Sequence, residues 1–202
     1  MFYLTLHGET EWNRDRRFQG QLDSPLTEHG VEQAHRMGVT LRELIGDATG
    51  YVIVSSPLGR ARRTAEIICE VLGIEPGQIE TDARIAEINL GSWAGLTRGE
   101  VEARWPRPLD GAGRYDWYFR SPDGETLDDL TARVRQWLAD AAGRDRMIAV
   151  SHGVTSRLLR GLYGGLETSE ALSLEVSRDV VFRLHDKCVD RVPCDEKAPP
   201  KV

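Results

Sequence analysis

Short apolar runs alternate with longer amphipathic ones along this chain. Phe2-Tyr3-Leu4-Thr5-Leu6 is apolar on both faces and too short for a helix, so it predicts a buried strand over 2–6. "YVIVSS" at 51–56 and "MIAVSHG" at 147–153 begin in the same way and predict two more. Between them the period changes. Ala34, Met37, Leu41 and Leu44 recur at helical spacing behind Thr27, a good N-cap, and Gly46 lies near the end of that run. Pro57 opens a second helix that runs to about Leu72, where Gly73 stops it. A short strand is expected at 79–82, an amphipathic helix from Thr126 to about Ala142, and another from Gly153 to about Tyr163. Residues 171–177 and 180–185 alternate and predict a hairpin turning near Arg178-Asp179.

Strands alternating with helices predict a three-layer α/β/α sandwich with a mainly parallel central sheet. One domain is expected over 1–186, followed by a polar, disordered tail over 187–202 ending "DEKAPPKV". The stretch from 86 to 125 breaks the rhythm. It is rich in glycine and proline and carries Trp93, Trp105, Tyr115, Trp117, Tyr118 and Phe119. From about 92 to 125 it reads as a lid-like insertion, or as a loop pinned to the core by its aromatics; the two are compatible.

Composition narrows the function class. The 202 residues are 40% hydrophobic, enough for a sizeable core. The formal charge is −6, which gives no support for nucleic-acid binding. No apolar run is long enough to span a membrane, and no secretory leader is visible, so a cytoplasmic location is expected. Cys69 reads as a core thiol. Cys188 and Cys194 read as reduced thiols that could pair only under oxidation. No feature encodes an oligomeric state. The partner expected is a small anion, because the arginines cluster although the net charge is negative.

The candidate chemistry sits at strand ends. In an open α/β sheet, ligands bind outside the carboxyl ends of the strands. His7 and His152 both follow a predicted strand and precede a glycine, Gly8 and Gly153, which permits close approach by ligand or backbone. Neither has a ligand-spaced histidine or cysteine partner, so a metal is not expected. "SSPLGRARRTAEII" at 55–68 puts Arg60 in a helix's first turn, where the dipole favours an anion. Arginine suits phosphate through its planar fork of donors. Glu87 follows at a strand-to-loop boundary. A carboxylate in a phosphate pocket repels the ligand unless it carries a proton, as a general acid must.

Together, "HGETEWN", "RFQGQLDSPLTEHGVEQA", "SSPLGRARRTAE", "AEINLGSWAG", "DGETLDDLTARV" and "VSHG" resemble the histidine phosphatase superfamily, also called phosphoglycerate mutase-like. The likeness covers about residues 2–186. It implies that His7 attacks phosphorus and becomes a phosphohistidine. It implies that Arg60 and His152 hold the phosphoryl oxygens and that Glu87 is the acid–base. Asn13, Arg17, Gln19 and Gly20 fall on the loop that borders the substrate in that family, and Gly153 follows the second histidine. No cofactor is implied. "DGETLDDL" is more similar to the phosphatase branch than to the larger mutases, which carry an extra preceding segment. The implied activity is hydrolysis of a small phosphomonoester; a weakly active phosphate-ligand binder is the alternative from another class.

One departure stands out. The family motif begins Arg-His-Gly, and this chain has Leu6-His7-Gly8. Leucine cannot donate to a phosphate. Arg14, Arg16 and Arg17 are the sequence's candidates to replace the missing donor. Arg98, Arg104, Arg107, Arg114 and Arg120, interleaved with aromatics, are candidates to favour a sugar phosphate or a phosphoglycerate-like acid, or else form a solvated face.

Overall fold

The computed structural model describes residues 1–105, 107, 109–113 and 115–194. Its strands are β1 (Phe2–Leu6), β2 (Val52–Ser55), β3 (Glu80–Thr81), β4 (Met147–Ser151), β5 (Val180–His185) and β6 (Cys188–Pro193). Its α-helices are α1 (Glu11–Arg14), α2 (Glu28–Ile45), α3 (Gly59–Leu72), α4 (Arg98–Arg104), α5 (Leu127–Ala141), α6 (Gly153–Tyr163) and α7 (Thr168–Ser173). The strands form one sheet in the order β3-β2-β4-β1-β5-β6. The first four are mutually parallel, and β5 and β6 are antiparallel additions at one edge.

The period-2 geometry of β1 divides the core. Phe2, Leu4 and Leu6 join one apolar cluster with residues of α5 and α6; Tyr3 joins the other with Met37, Leu41 and Ile68 of α2 and α3. This is the predicted three-layer sandwich. Local signals set the helix ends. The Thr27 side chain accepts from Gly30 N–H to cap α2, Thr126 accepts from Asp129 N–H to cap α5, and Gly73 closes α3 in the left-handed region at φ 71°.

The irregular segment is pinned by its aromatics. Trp93 is fully buried, Tyr118 is nearly so, and Trp117 packs 4.4 Å from the Phe18 ring. Arg17 ties the other side, donating to the Gly95 carbonyl and to Glu100. Arg98 and Arg120 pair with Glu102 and Asp116. Arg114 lies outside the described residues.

The C-terminal part departs from the sequence reading twice. Residues 168–173 are helix α7, not the first strand of a hairpin. The hairpin is β5-β6 instead, so Cys188–Pro193 is paired strand where a disordered tail was expected. The turn is Asp186-Lys187, with φ 46° and 62°. Two consecutive positive φ values match a two-residue hairpin turn, but the glycine or asparagine that normally signals one is missing. Residues 195–202 of the expected tail lie outside the described residues. Cys69, Cys188 and Cys194 are all free thiols. Among the described residues, no helix is long and apolar enough to cross a membrane.

Candidate active site

Three neighbouring parallel strands end side by side and deliver the site. Ser56 follows β2, His152 follows β4 and His7 follows β1. The backbone locks them together: His7 N–H donates to Ser151 (3.1 Å) and Ser56 N–H donates to Val150 (3.0 Å). Beyond β1 the chain passes tightly over the start of α2, where a Cβ on Gly8 would run into the Gly30 carbonyl. That contact holds the histidine loop against the sheet edge.

His7 is buried, and its Nδ1 lies 2.7 Å from the Gly8 carbonyl. A carbonyl only accepts, so Nδ1 carries the proton and Nε2 presents a lone pair. Arg60 Nε donates to that Nε2 at 3.3 Å. His152 is fully buried, and its Nε2 lies 2.7 Å from Ser56 Oγ. The two imidazole centres are 5.1 Å apart. Burial pulls both histidines well below the usual imidazole range. The Arg60 charge pushes each the same way, and Arg178 adds to it. Both rings are therefore neutral at pH 7, the state a nitrogen nucleophile needs.

Arg60 stands in the first turn of α3 as predicted. Its guanidinium is heavily engaged: Nη2 donates to the Gly20 carbonyl (2.7 Å), and Nη1 donates to the Leu22 carbonyl (2.7 Å) and to Asp23 (3.2 Å). It therefore fastens the 20–23 loop over the site while directing Nε at His7.

Glu87 is held by a scaffold of backbone contacts. Arg133 of α5 donates to the carbonyls of Arg84, Ala86 and Glu87, and is itself fixed by Glu125 at 2.6 Å. Thr155 Oγ1 donates to the Ala86 carbonyl and Ser151 Oγ to that of Ile85. The carboxylate accepts from the Val154 and Thr155 amides, each at 3.2 Å, at the open end of α6. Because His152 is the N-cap of α6, one short stretch positions both the second histidine and the acid.

The arrangement is thus a neutral nucleophilic nitrogen beside a guanidinium, a second buried imidazole, and a carboxylate held through backbone amides. The pattern of the histidine phosphatase superfamily (branch 1) matches residues 2–185. The chain belongs to that superfamily. Over 201 residues it is 39% identical to the probable phosphoglycerate mutase GpmB of Citrobacter koseri, covering 96% of this chain and 85% of that protein. Bacillus stearothermophilus YhfR superposes with a TM-score of 0.76 at 29% identity, covering 95% of each chain. A mycobacterial glucosyl-3-phosphoglycerate phosphatase, solved with VO3, superposes at 0.72 and 27% identity, covering 98% of this chain and 99% of that one.

The other site residues expected from the superfamily pattern are brought to the rim unevenly. Gly20 is buried at φ 54° and offers its carbonyl to Arg60. Gln19 Nε2 donates to Thr10 at 2.7 Å, and its Oε1 is buried without a partner. Asn13 Oδ1 accepts from Thr10 as part of the α1 capping box. Gly153 opens α6, and a Cβ there would stand 3.6 Å from Glu87 Oε2. Arg17 faces the 92–100 segment through its ion pair with Glu100.

None of the three candidates for the missing donor serves. Arg14 is exposed and pairs with Asp15, Arg16 is exposed, and Arg17 is taken by Glu100. Leu6 itself is only 1% exposed and part of the apolar core, and it supplies no donor of its own. Sequence reasoning missed two groups. Ser56 fixes the His152 ring, and a serine after a strand carries no signal of that. Arg178 was read as a turn residue. Its charge disfavours protonation of His7 and His152 and repels Arg60, while Glu9, Glu87 and Asp179 attract it. Its Nε is buried with no hydrogen-bond partner among the described residues, and so is His152 Nδ1. An unpaired buried donor costs about 1–3 kcal/mol.

Proposed function

We propose that this chain hydrolyses a small phosphomonoester through a phosphohistidine on His7. The observation that carries the reading is the tautomer. The Gly8 carbonyl holds the proton on Nδ1, so the unprotonated Nε2 is the nitrogen turned toward Arg60. Nε2 attacks phosphorus, the ester P–O bond breaks, and the leaving oxygen takes a proton from Glu87. Water then attacks the phosphohistidine and gives its proton to the Glu87 carboxylate. The P–N bond breaks and neutral His7 returns. Arg60 and the neutral His152 neutralise or donate to the phosphoryl oxygens while they are transferred.

A second reading is a weakly active member that binds phosphorylated ligands. Leu6 at the motif arginine's position favours it, as does the engagement of Arg60 with loop carbonyls. Mutase action on a phosphoglycerate, suggested by the name of the Citrobacter relative, would use the same first step with a second hydroxyl in place of water.

Acid-quenching the protein with p-nitrophenyl phosphate should trap an acid-labile, base-stable phosphoryl group, and His7→Ala should abolish both the label and phosphate release. Label that persists in His7→Ala would falsify the assignment. Phosphate binding without label or turnover would select the second reading.

A further inference from the structure

We propose that Arg178 is the phosphate-clamping arginine of this chain, delivered from the loop before β5 to the face that Leu6 leaves without a donor. The proposal deepens the phosphotransfer reading above and rests on it.

The sheet brings the two positions together. β5 runs antiparallel to β1, so its amino end lies at the same edge as the carboxyl ends of β1, β4 and β2. The recorded pairs are Phe2 with Leu184 and Leu4 with Phe182. Carrying that register one rung onward sets Leu6, the last residue of β1, opposite Val180, the first of β5. Leu6 and Val180 share one apolar cluster with Phe182 and Leu184. Arg178 and Asp179 form a bend immediately before β5; Asp179 turns to Gln33 and Arg36 of α2, and Arg178 stands beside it at the ligand edge of the sheet. Val176 confirms the path of the segment: its methyls lie near where a Cβ on Gly153 would stand. The loop therefore runs from the start of α6, beside Glu87, to the start of β5, beside His7.

The side chain is charged and uncommitted. Among the described residues it makes no hydrogen bond or ion pair, and its Nε is buried. Glu9 and Glu87 attract its charge, and the neighbouring Asp179 does so less because Gln33 and Arg36 already hold it, but none of the three makes an ion pair with it. Arg60 forms the contrast, with its Nη groups bonded to the 20–23 loop. Unlike Arg60 and Arg133, Arg178 has a fork with no hydrogen-bond partner among the described residues. A fork of parallel N–H donors fits two oxygens of a phosphoryl group.

The test compares wild type, Arg178→Ala, Arg178→Met and the double variant Leu6→Arg/Arg178→Ala, with His7→Ala as control. The readouts are kcat/KM for p-nitrophenyl phosphate and thermal stabilisation by inorganic phosphate or vanadate. Arg178→Ala should lower kcat/KM by about 10²–10³ and remove most of the stabilisation by phosphate. Arg178→Met, which keeps the apolar stem, should do the same, so packing is separated from charge. Added guanidinium ion should restore part of the Arg178→Ala rate and leave wild type unchanged. Leu6→Arg should recover activity in the Arg178→Ala background more than it raises wild type. Folded Arg178 variants within about threefold of wild type, with unchanged phosphate stabilisation and an inactive His7→Ala, would overturn the clamp and leave the phosphatase reading standing. A wild type that neither hydrolyses the ester nor is stabilised by phosphate overturns both. A wild type that binds phosphate without turnover, and loses it in Arg178→Ala, supports the clamp while refuting hydrolysis.

Discussion

The ends of β1 and β4 carry the same three-part pattern of apolar strand, histidine and glycine, yet they are built for different tasks. After β1 the chain turns into a loop, and His7 bonds its own chain through Nδ1, so Nε2 faces the site. After β4 a helix begins at once. His152 caps α6 and is fastened through Nε2 to Ser56, on a third strand end. The same helix start holds Glu87 by two amides. The same local pattern thus leaves a ring nitrogen facing Arg60 at one end and a ring anchored to a serine beside a carboxylate at the other; in the proposed reaction the first is the nucleophile and the second a donor. The partner of each ring nitrogen decides which is which.

Exchanging either ring for an amide breaks the comparison most sharply. His7→Gln should lower kcat/KM by about 10⁴ or more and abolish the phosphoenzyme, since Ser56 holds Nε2 of the other imidazole, His152. His152→Gln should lose about 10²–10³ and still form phosphoenzyme. If both variants lose the label, the division of roles is wrong.

Glu87→Gln comes next. It should slow an alkyl phosphate by about 10²-fold or more and p-nitrophenyl phosphate far less, because only the poor leaving group needs the proton. Rates for a series of leaving groups measure this directly, and equal slowing across the series would remove Glu87 from the acid role.

The smallest effect is on stability in acid. Both histidines sit below their ordinary range in the folded chain. As pH falls below the unfolded imidazole value of about 6.5, the unfolded chain takes up protons that the fold refuses. Stability should therefore be full above that value and decline below it, until the folded pKa values are reached. The slope approaches about 1.4 kcal/mol per pH unit for each histidine. Denaturant unfolding from pH 7.5 to 5 checks it. His152→Gln should remove part of the slope, and an unchanged slope in that variant would mean the ring is not held neutral.

Leu6→Arg alone is instructive for the same reason. It replaces a side chain that is buried in the core, and under the proposed clamp it adds a second donor beside Arg178. The burial of Leu6 is what turns an apparent gap in the motif into a packed position, with about 1.5–3 kcal/mol of apolar burial behind it.

The local elements and the chemistry on offer are legible along the chain. Strand runs at 2–6, 51–56 and 147–153, the caps Thr27 and Thr126, and the stop at Gly73 all follow from period and backbone preference, which act within a few residues. His7, His152, Arg60 and Glu87 could be named because each stands next to an element boundary in a recurring motif. The final hairpin could not be read, because Asp186 and Lys187 adopt positive φ without the residues that announce it. Only the tertiary structure decided how those residues are used. The sheet order puts β4 between β1 and β2, which joins His7, His152 and Ser56 across 145 positions of chain. The antiparallel pairing of β5 with β1 puts the loop that carries Arg178 at the same edge of the sheet as the two histidines. Loop carbonyls, which no side-chain code records, occupy Arg60 and leave Arg178 open. Hydrogen-bond partners and electrostatic neighbours are set by distance in space, and a chain's order fixes that distance only after the sheet has formed.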